Sequence, residues 1–144
     1  MRLNTKCSIA LHCLVFISEY QHKNKVTSEL LAKSTGCNSA AIRSILNSLQ
    51  KAHIISVVRG IGGAYLNVDT DKLTVWDVYQ AIEPNGLEHL IGFHPNPSND
   101  CPIGKHIQST LKNSYQEIGE AVRKAMEEIT LEKVICYYHS EVTN

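Results

Sequence analysis

Apolar side chains at Cys7, Ala10, Leu11, Leu14, Val15 and Ile17 have the spacing of a mostly buried helix, which the pattern predicts over residues 5–20. A polar break from Gln21 to Lys25 follows. Val26-Thr27-Ser28-Glu29-Leu30-Leu31 then reads as a second helix start: Thr27 can accept from the free N–H groups of the first turn, and Val26 can pack on Leu31 as a hydrophobic staple. Ser34-Thr35-Gly36 stops this helix early. Asn38 is the next cap, and Ile42, Ile45, Leu46 and Leu49 line one face of a third helix that runs to about Ala52. Its opposite face carries Ser39, Ala40, Arg43, Ser44 and Asn47. Two helices joined by a glycine-containing turn, the second with a small, polar and cationic outer face, make a helix-turn-helix.

Beyond that point the period changes. Ile54 to Val58 is a β-branched run, Arg59-Gly60-Ile61-Gly62-Gly63 a tight turn, and Ala64 to Val68 a returning strand. The glycine loop joins two strands rather than a strand and a helix, so it is not a nucleotide-binding loop. A capping box at Thr74 and Asp77 opens a fourth helix that ends near Glu83-Pro84. Residues 84–101 hold three of the four prolines and read as a loop. From Pro102 a long helix runs to about Glu128, with Ile107, Leu111, Ser114, Ile118, Ala121 and Ala125 at alternating spacings of four and three. That repeat makes a seam for another helix, expected in a second copy of the chain, the alternative being a helix packed on its own domain. The expected fold is mainly α with a small β wing. It divides into a winged helix-turn-helix over residues 1–83, a loop over 84–101, a dimerisation helix over 102–128 and a C-terminal tail over 129–144.

A net charge of zero argues against a nucleic-acid partner until its distribution is considered. Residues 1–66 carry eight Lys/Arg against two Glu, and residues 67–144 carry six against twelve Asp/Glu. A basic half joined to an acidic half suits a nucleic-acid-binding part attached to a part with another task. The longest apolar window, Ile9 to Ile17, is interrupted by His12 and too short to span a bilayer, and no secretory cleavage pattern follows it. The expected location is the cytoplasm. The five cysteines are an odd number without a CxxC pair, so they do not read as a structural disulfide framework. Cys7 and Cys13 read as small buried hydrophobes.

The segment TGCNSAAIRSILNSLQKAHIISVVRGIGGAYL, followed by LTVWDVYQAIE, resembles the Rrf two family of winged-helix transcription regulators. The most specific part is RGIGGAYL, close to the family's wing pattern of Arg-Gly, further glycines, an aromatic and Leu. The resemblance implies homodimers on palindromic double-stranded DNA operators, with the recognition helix in the major groove and the wing arginine in the minor groove. It would make Asn38, Ser39, Ala40, Arg43 and Ser44 the base-reading face. Arg59, Gly60 and Tyr65 would serve the wing, and Thr27 and Ser28 would contact phosphate. The chain departs from the pattern at Ala64 and at His53, both usually glycine. Family members that hold an iron–sulfur cluster carry three close cysteines before the long helix; here residues 84–105 contain only Cys101, too few thiolates for a cluster. His89, His94 and His106 read as loop histidines, and neither a metal nor another cofactor is expected.

Regulation is expected at the thiols instead. Cys37 precedes the cap of the recognition helix and Cys101 precedes Pro102, and unpaired N–H groups at helix starts favour a thiolate. Because the family's long helix crosses to the partner subunit, Cys101 of one copy would approach Cys37 of the other, and a disulfide there would respace the reading heads; Cys136 is a reserve partner. The rival within this fold is a small-molecule ligand near Trp76 and Tyr79, although both also read as core residues of the fourth helix. Other rivals are a cysteine-dependent enzyme, for which no nucleophile signature is present, and an interaction module that does not bind DNA.

Overall fold

A computed structural model describes residues 5–144 apart from Ile61 and His89. The element order is α1 (Thr5–Tyr20), α2 (Ser28–Thr35), α3 (Ser39–Lys51), β1 (Ile55–Val58), β2 (Gly63–Leu66), α4 (Val75–Ile82), α5 (Pro102–Glu127) and α6 (Leu131–Thr143). The architecture is a winged helix-turn-helix followed by a long helix, as the sequence pattern predicts.

Local chemistry sets the helix boundaries. Thr27 Oγ1 accepts from Leu30 N–H at 3.2 Å, and α2 ends on Gly36, whose φ of 73° lies in the left-handed region. Asn38 Oδ1 accepts from Ala41 N–H at 2.8 Å to open α3. At the other end of α3, Ile54 N–H donates to Leu49 O at 3.0 Å and His53 N–H donates to Gln50 O at 3.0 Å. This is a Schellman closure, sealed by the buried side chains of Ile54 and Leu49. Its left-handed residue is His53, with φ of 60°. Thr74 and Asp77 exchange the two hydrogen bonds of a capping box, at 3.1 and 2.9 Å.

The core gathers around α1, where Ala10, Cys13, Leu14 and Ile17 are fully buried. Leu31 of α2, Ile42 and Leu49 of α3, Ile55 of β1 and Val78 of α4 pack into the same cluster. The strands pair antiparallel from Ile55 opposite Leu66 to Val58 opposite Gly63. Ala64 N–H donates to Val26 O at 2.9 Å, which ties the wing to the segment before α2. Gly63 is required here because a Cβ would stand 2.8 Å from the Val26 backbone. The returning strand is shorter than the predicted Ala64–Val68. Its last link is Asn67 N–H to Ile54 O, and Val68 lies exposed beyond it.

The chain then leaves this core and comes back to it. α5 spans 26 residues, about 39 Å at 1.5 Å per residue, and buries none of them fully. Its half-buried positions include Tyr115, Gly119, Val122 and Met126, which face the chain's own α4 side. Of the predicted seam, Ile107 and Leu111 are half-buried, whereas Ser114, Ile118, Ala121 and Ala125 are exposed. After α5 the chain folds back: Leu131 N–H donates to Leu73 O and Val75 N–H to Ile129 O, both at 2.8 Å. Leu131 and Ile135 of α6 join the core, and His139 Nε2 meets Glu19 Oε1 of α1 at 2.8 Å. Among the described residues no helix is long and apolar enough to cross a membrane.

The positive φ at His53 yields a stability prediction. Glycine occupies that region without a Cβ penalty, so His53→Gly is expected to raise the unfolding free energy by about 1 kcal/mol. Urea denaturation followed by circular dichroism measures it, and a lowered midpoint would contradict the strain.

Candidate nucleic-acid interface

Burial of Ile42, Ile45, Leu46 and Leu49 turns the other side of α3 outward, so that Ala40, Arg43, Ser44 and Asn47 are exposed and Ser39 is half-buried. Arg43 makes no hydrogen bond or ion pair with another described residue. Arg59, in the turn between β1 and β2, is likewise exposed and unpaired among the described residues; its neighbour Ile61 lies outside them. A guanidinium in this condition offers five N–H donors in a fixed fork, suited to a guanine edge or a phosphate. Gly60 adopts a φ of 84° in the same turn, with open space around it.

The other expected contacts are partly engaged within the protein. The Asn38 oxygen is held by its cap, which leaves its amide N–H groups free. Thr27 is held in the same way through its oxygen. Ser28 Oγ donates to Glu29 Oε2 at 3.3 Å, so a carboxylate stands beside the expected phosphate contact. Tyr65 is half-buried and lines a hollow with Gln21 and His22 at the base of the wing. Sequence reasoning passed over Lys25, which reads only as part of a polar break. Its side-chain stem lies against Gly63 of the wing, and the residue is exposed.

All five thiols are free. Burial pushes the Cys13 thiol up to about 12, and neighbouring Cys37 adds to the effect. Burial also raises Cys7, followed by the charge of Glu83. The two cysteines expected at helix starts differ. Cys101 is exposed and is the N-cap of α5, its sulfur accepting from Gly104 N–H at 3.5 Å. Cys37 stands just before Asn38, which supplies the cap of α3; it is half-buried against the core, and its S–H donates to Thr35 O at 3.8 Å. Cys136 is exposed on α6.

An iron–sulfur cluster does not fit these donors. Cys101 is the one thiol of its loop, and among the described residues no three His, Cys, Asp or Glu side chains converge as metal ligands. His89 lies outside the described residues. The two aromatics of α4 also separate. Tyr79 is core, as expected, and its hydroxyl donates to Gly86 O at 3.1 Å, which removes it from any pocket. Trp76 is not core: it is half-buried, stacks beside Tyr79 at 5.9 Å and lines a cleft under α5.

Residues 3–137 match the sequence model of the Rrf2 (Rrf two) family, described as an iron-dependent transcriptional regulator. The chain is 30% identical over 133 residues to YwnA of Bacillus subtilis (strain 168), a protein named for an HTH-type transcriptional regulator, covering 92% of this chain and 96% of that one. The crystal structure of a transcriptional regulator from Lactobacillus plantarum superposes with a TM-score of 0.76 at 22% identity, covering 99% of this chain and all of the other. The oxidized form of Staphylococcus aureus CymR shares the fold at a TM-score of 0.69 and 18% identity, over 94% of this chain and 96% of that one. The family and the named relative are transcription regulators, not enzymes.

Proposed function

This chain belongs to the Rrf2 family of transcriptional regulators, and from that premise we propose that it binds a palindromic operator as a homodimer and loses its grip when Cys101 is oxidised. The observation that carries the DNA reading is the pair of unpaired guanidiniums, Arg43 on the outer face of α3 and Arg59 in the wing. Arg43 enters the major groove with Ser39, Ala40, Ser44 and the free amide of Asn38 beside it. Arg59, with Gly60 bending the wing and Tyr65 at its base, follows the adjacent groove. Thr27 and Ser28 bring the N-terminus of α2 to a phosphate, and Lys25 adds a charge there. The protein works in the cytoplasm, where the operator is.

The homodimer reading rests on the exposed line Ser114, Ile118, Ala121 and Ala125, continued by half-buried Ile107 and Leu111. A second copy covers this line and sets the spacing of the two reading heads.

Support for thiol control comes from the exposed sulfur of Cys101, which accepts from Gly104 N–H as the cap of α5 and so stands open to an oxidant. The Cys101 thiolate attacks the terminal oxygen of a peroxide, releasing alkoxide (hydroxide), or the chlorine of hypochlorous acid, releasing hydroxide and giving a sulfenyl chloride that water hydrolyses with loss of chloride and a proton. Either route gives a sulfenic acid. A second thiol then displaces the oxygen as water and forms the disulfide, both electrons having gone to the oxidant. Cys37 of the partner subunit, once its bond to Thr35 O opens, is the intended second thiol, and Cys136 the reserve. An oxidized form of a relative with this fold, S. aureus CymR, has been crystallised.

Two outcomes test the reading surfaces and the seam. Against an operator selected from the region upstream of the gene, Arg43→Ala is expected to cost about 1–3 kcal/mol and relax preference at one base pair. Arg59→Ala is expected to flatten the salt dependence of binding. Fluorescence anisotropy across a salt series reads both, and parent-like binding by both variants would refute the surfaces. For the seam, Ile118→Glu combined with Ala125→Glu is expected to give a monomer with unchanged helicity and operator binding weakened on the order of 10²-fold. Sedimentation velocity that still finds the dimer would refute the seam.

A further inference from the structure

Between α4, the loop residues Leu87, Glu88, Leu90, Ile91 and Phe93, and the inner side of α5 lies a cleft of about 1020 Å³. Three rings form its walls: Trp76 of α4, Phe93 of the loop and Tyr115 of α5. Phe93 and Tyr115 lie 5.1 Å apart with a 31° tilt, and Phe93 stays 42% exposed outside the buried core cluster. Two aromatic rings that touch each other at the edge of an open cleft, with water over one of them, make an apolar wall without an occupant from the chain itself.

The charges around the cleft differ in how far they are satisfied. Arg123 lies over the Trp76 ring at 5.4 Å, and its Nε donates to Glu127 Oε1 at 2.9 Å. Glu120, one turn away on the same helix, also lines the cleft and acts on Arg123. Arg123 is therefore already compensated by two carboxylates. Lys112, toward the other end of the cleft, has no hydrogen bond or ion pair with another described residue. Glu88, on the loop wall, is also unpaired among the described residues and disfavours a second negative charge on any ligand.

We propose that this cleft is a small-molecule site for an aromatic monocarboxylate, its ring held between Trp76 and the Phe93–Tyr115 pair and its carboxylate on Lys112. The cleft is distinct from the α5 seam: Tyr115, Gly119 and Arg123 line it, whereas Ser114, Ile118, Ala121 and Ala125 face away on the exposed line. It also does not involve Cys101 or Cys37, so the site is independent of the thiol chemistry. A ligand seated here joins α4 of the winged domain to α5, and so can bias how the reading heads are held.

Trp76 is the only tryptophan of the chain, so its emission reports directly on the cleft. The experiment titrates the full-length protein with cinnamate and with uncharged cinnamide, reading Trp76 emission on red-edge excitation with calorimetry alongside. The expected result is saturable binding of cinnamate, at least about fivefold tighter than cinnamide, as a single ion pair near a surface allows. Lys112→Gln is expected to bring cinnamate down to the affinity of cinnamide, and Phe93→Ala to weaken both. Both replaced side chains are exposed, and circular dichroism checks that the variants remain folded. Equal binding of the two probes, indifference to Lys112→Gln, or no saturable response would overturn the proposal. Trp76 emission that depends on protein concentration without ligand, with no cinnamate response, would assign the cleft to a second copy and overturn it as well.

Discussion

The rotation of α3 about its own axis is set by four side chains. Ile42, Ile45, Leu46 and Leu49 must leave water, and the surface that receives them is built by α1, α2 and α4. Burying a large aliphatic side chain is worth roughly 1.5–3 kcal/mol, so a quarter-turn of the helix would forfeit far more than any surface contact returns. With that face committed, Arg43 and Ser44 have no direction left but outward. The same core fixes the wing, because Ala64 is buried and hydrogen-bonded to Val26, and the turn that carries Arg59 projects from strands anchored at that point. The proposed reading surface is thus a by-product of core packing.

α5 obeys a different constraint. It leaves a finished core, and α6 returns to dock Leu131 and Ile135 beside α1 and to place His139 against Glu19. The C-terminal end of α5 is therefore attached to the winged domain, while its middle offers one side to the cleft and another to solvent. Cys101 caps the start of this helix with its sulfur. A change of charge or bonding at that sulfur acts on the first turn of the element that, in the proposed dimer, relates the two reading heads.

What the sequence disclosed was what short-range chemistry decides. Thr27, Asn38 and the Thr74–Asp77 box are caps whose donors lie within three residues, and each is found in the structure. The buried faces of α1 and α3 followed from periodicity alone. Features that depend on distant chain were not legible. The half-burial of Cys37 is decided by the core that packs behind it. Tyr79 and Trp76, three residues apart on one helix, are parted by the hydroxyl's bond to Gly86 and by where α5 passes over the indole. The docking of α6 joins residues more than a hundred positions apart, as Glu19 and His139 show, and no local pattern encodes it. Whether Cys37 of one copy reaches Cys101 of another is likewise a property of two chains.

The central claim is a regulator whose DNA grip is set by the thiol at the start of α5. The most direct measurement is operator affinity by fluorescence anisotropy before and after mild hypochlorite, for the parent and for Cys101→Ser, with non-reducing electrophoresis of the same samples. The account predicts that the parent loses affinity and forms a linked dimer, that thiol reductant restores both, and that Cys101→Ser keeps its affinity and does neither. An oxidised parent that binds the operator as tightly as the reduced protein would contradict it.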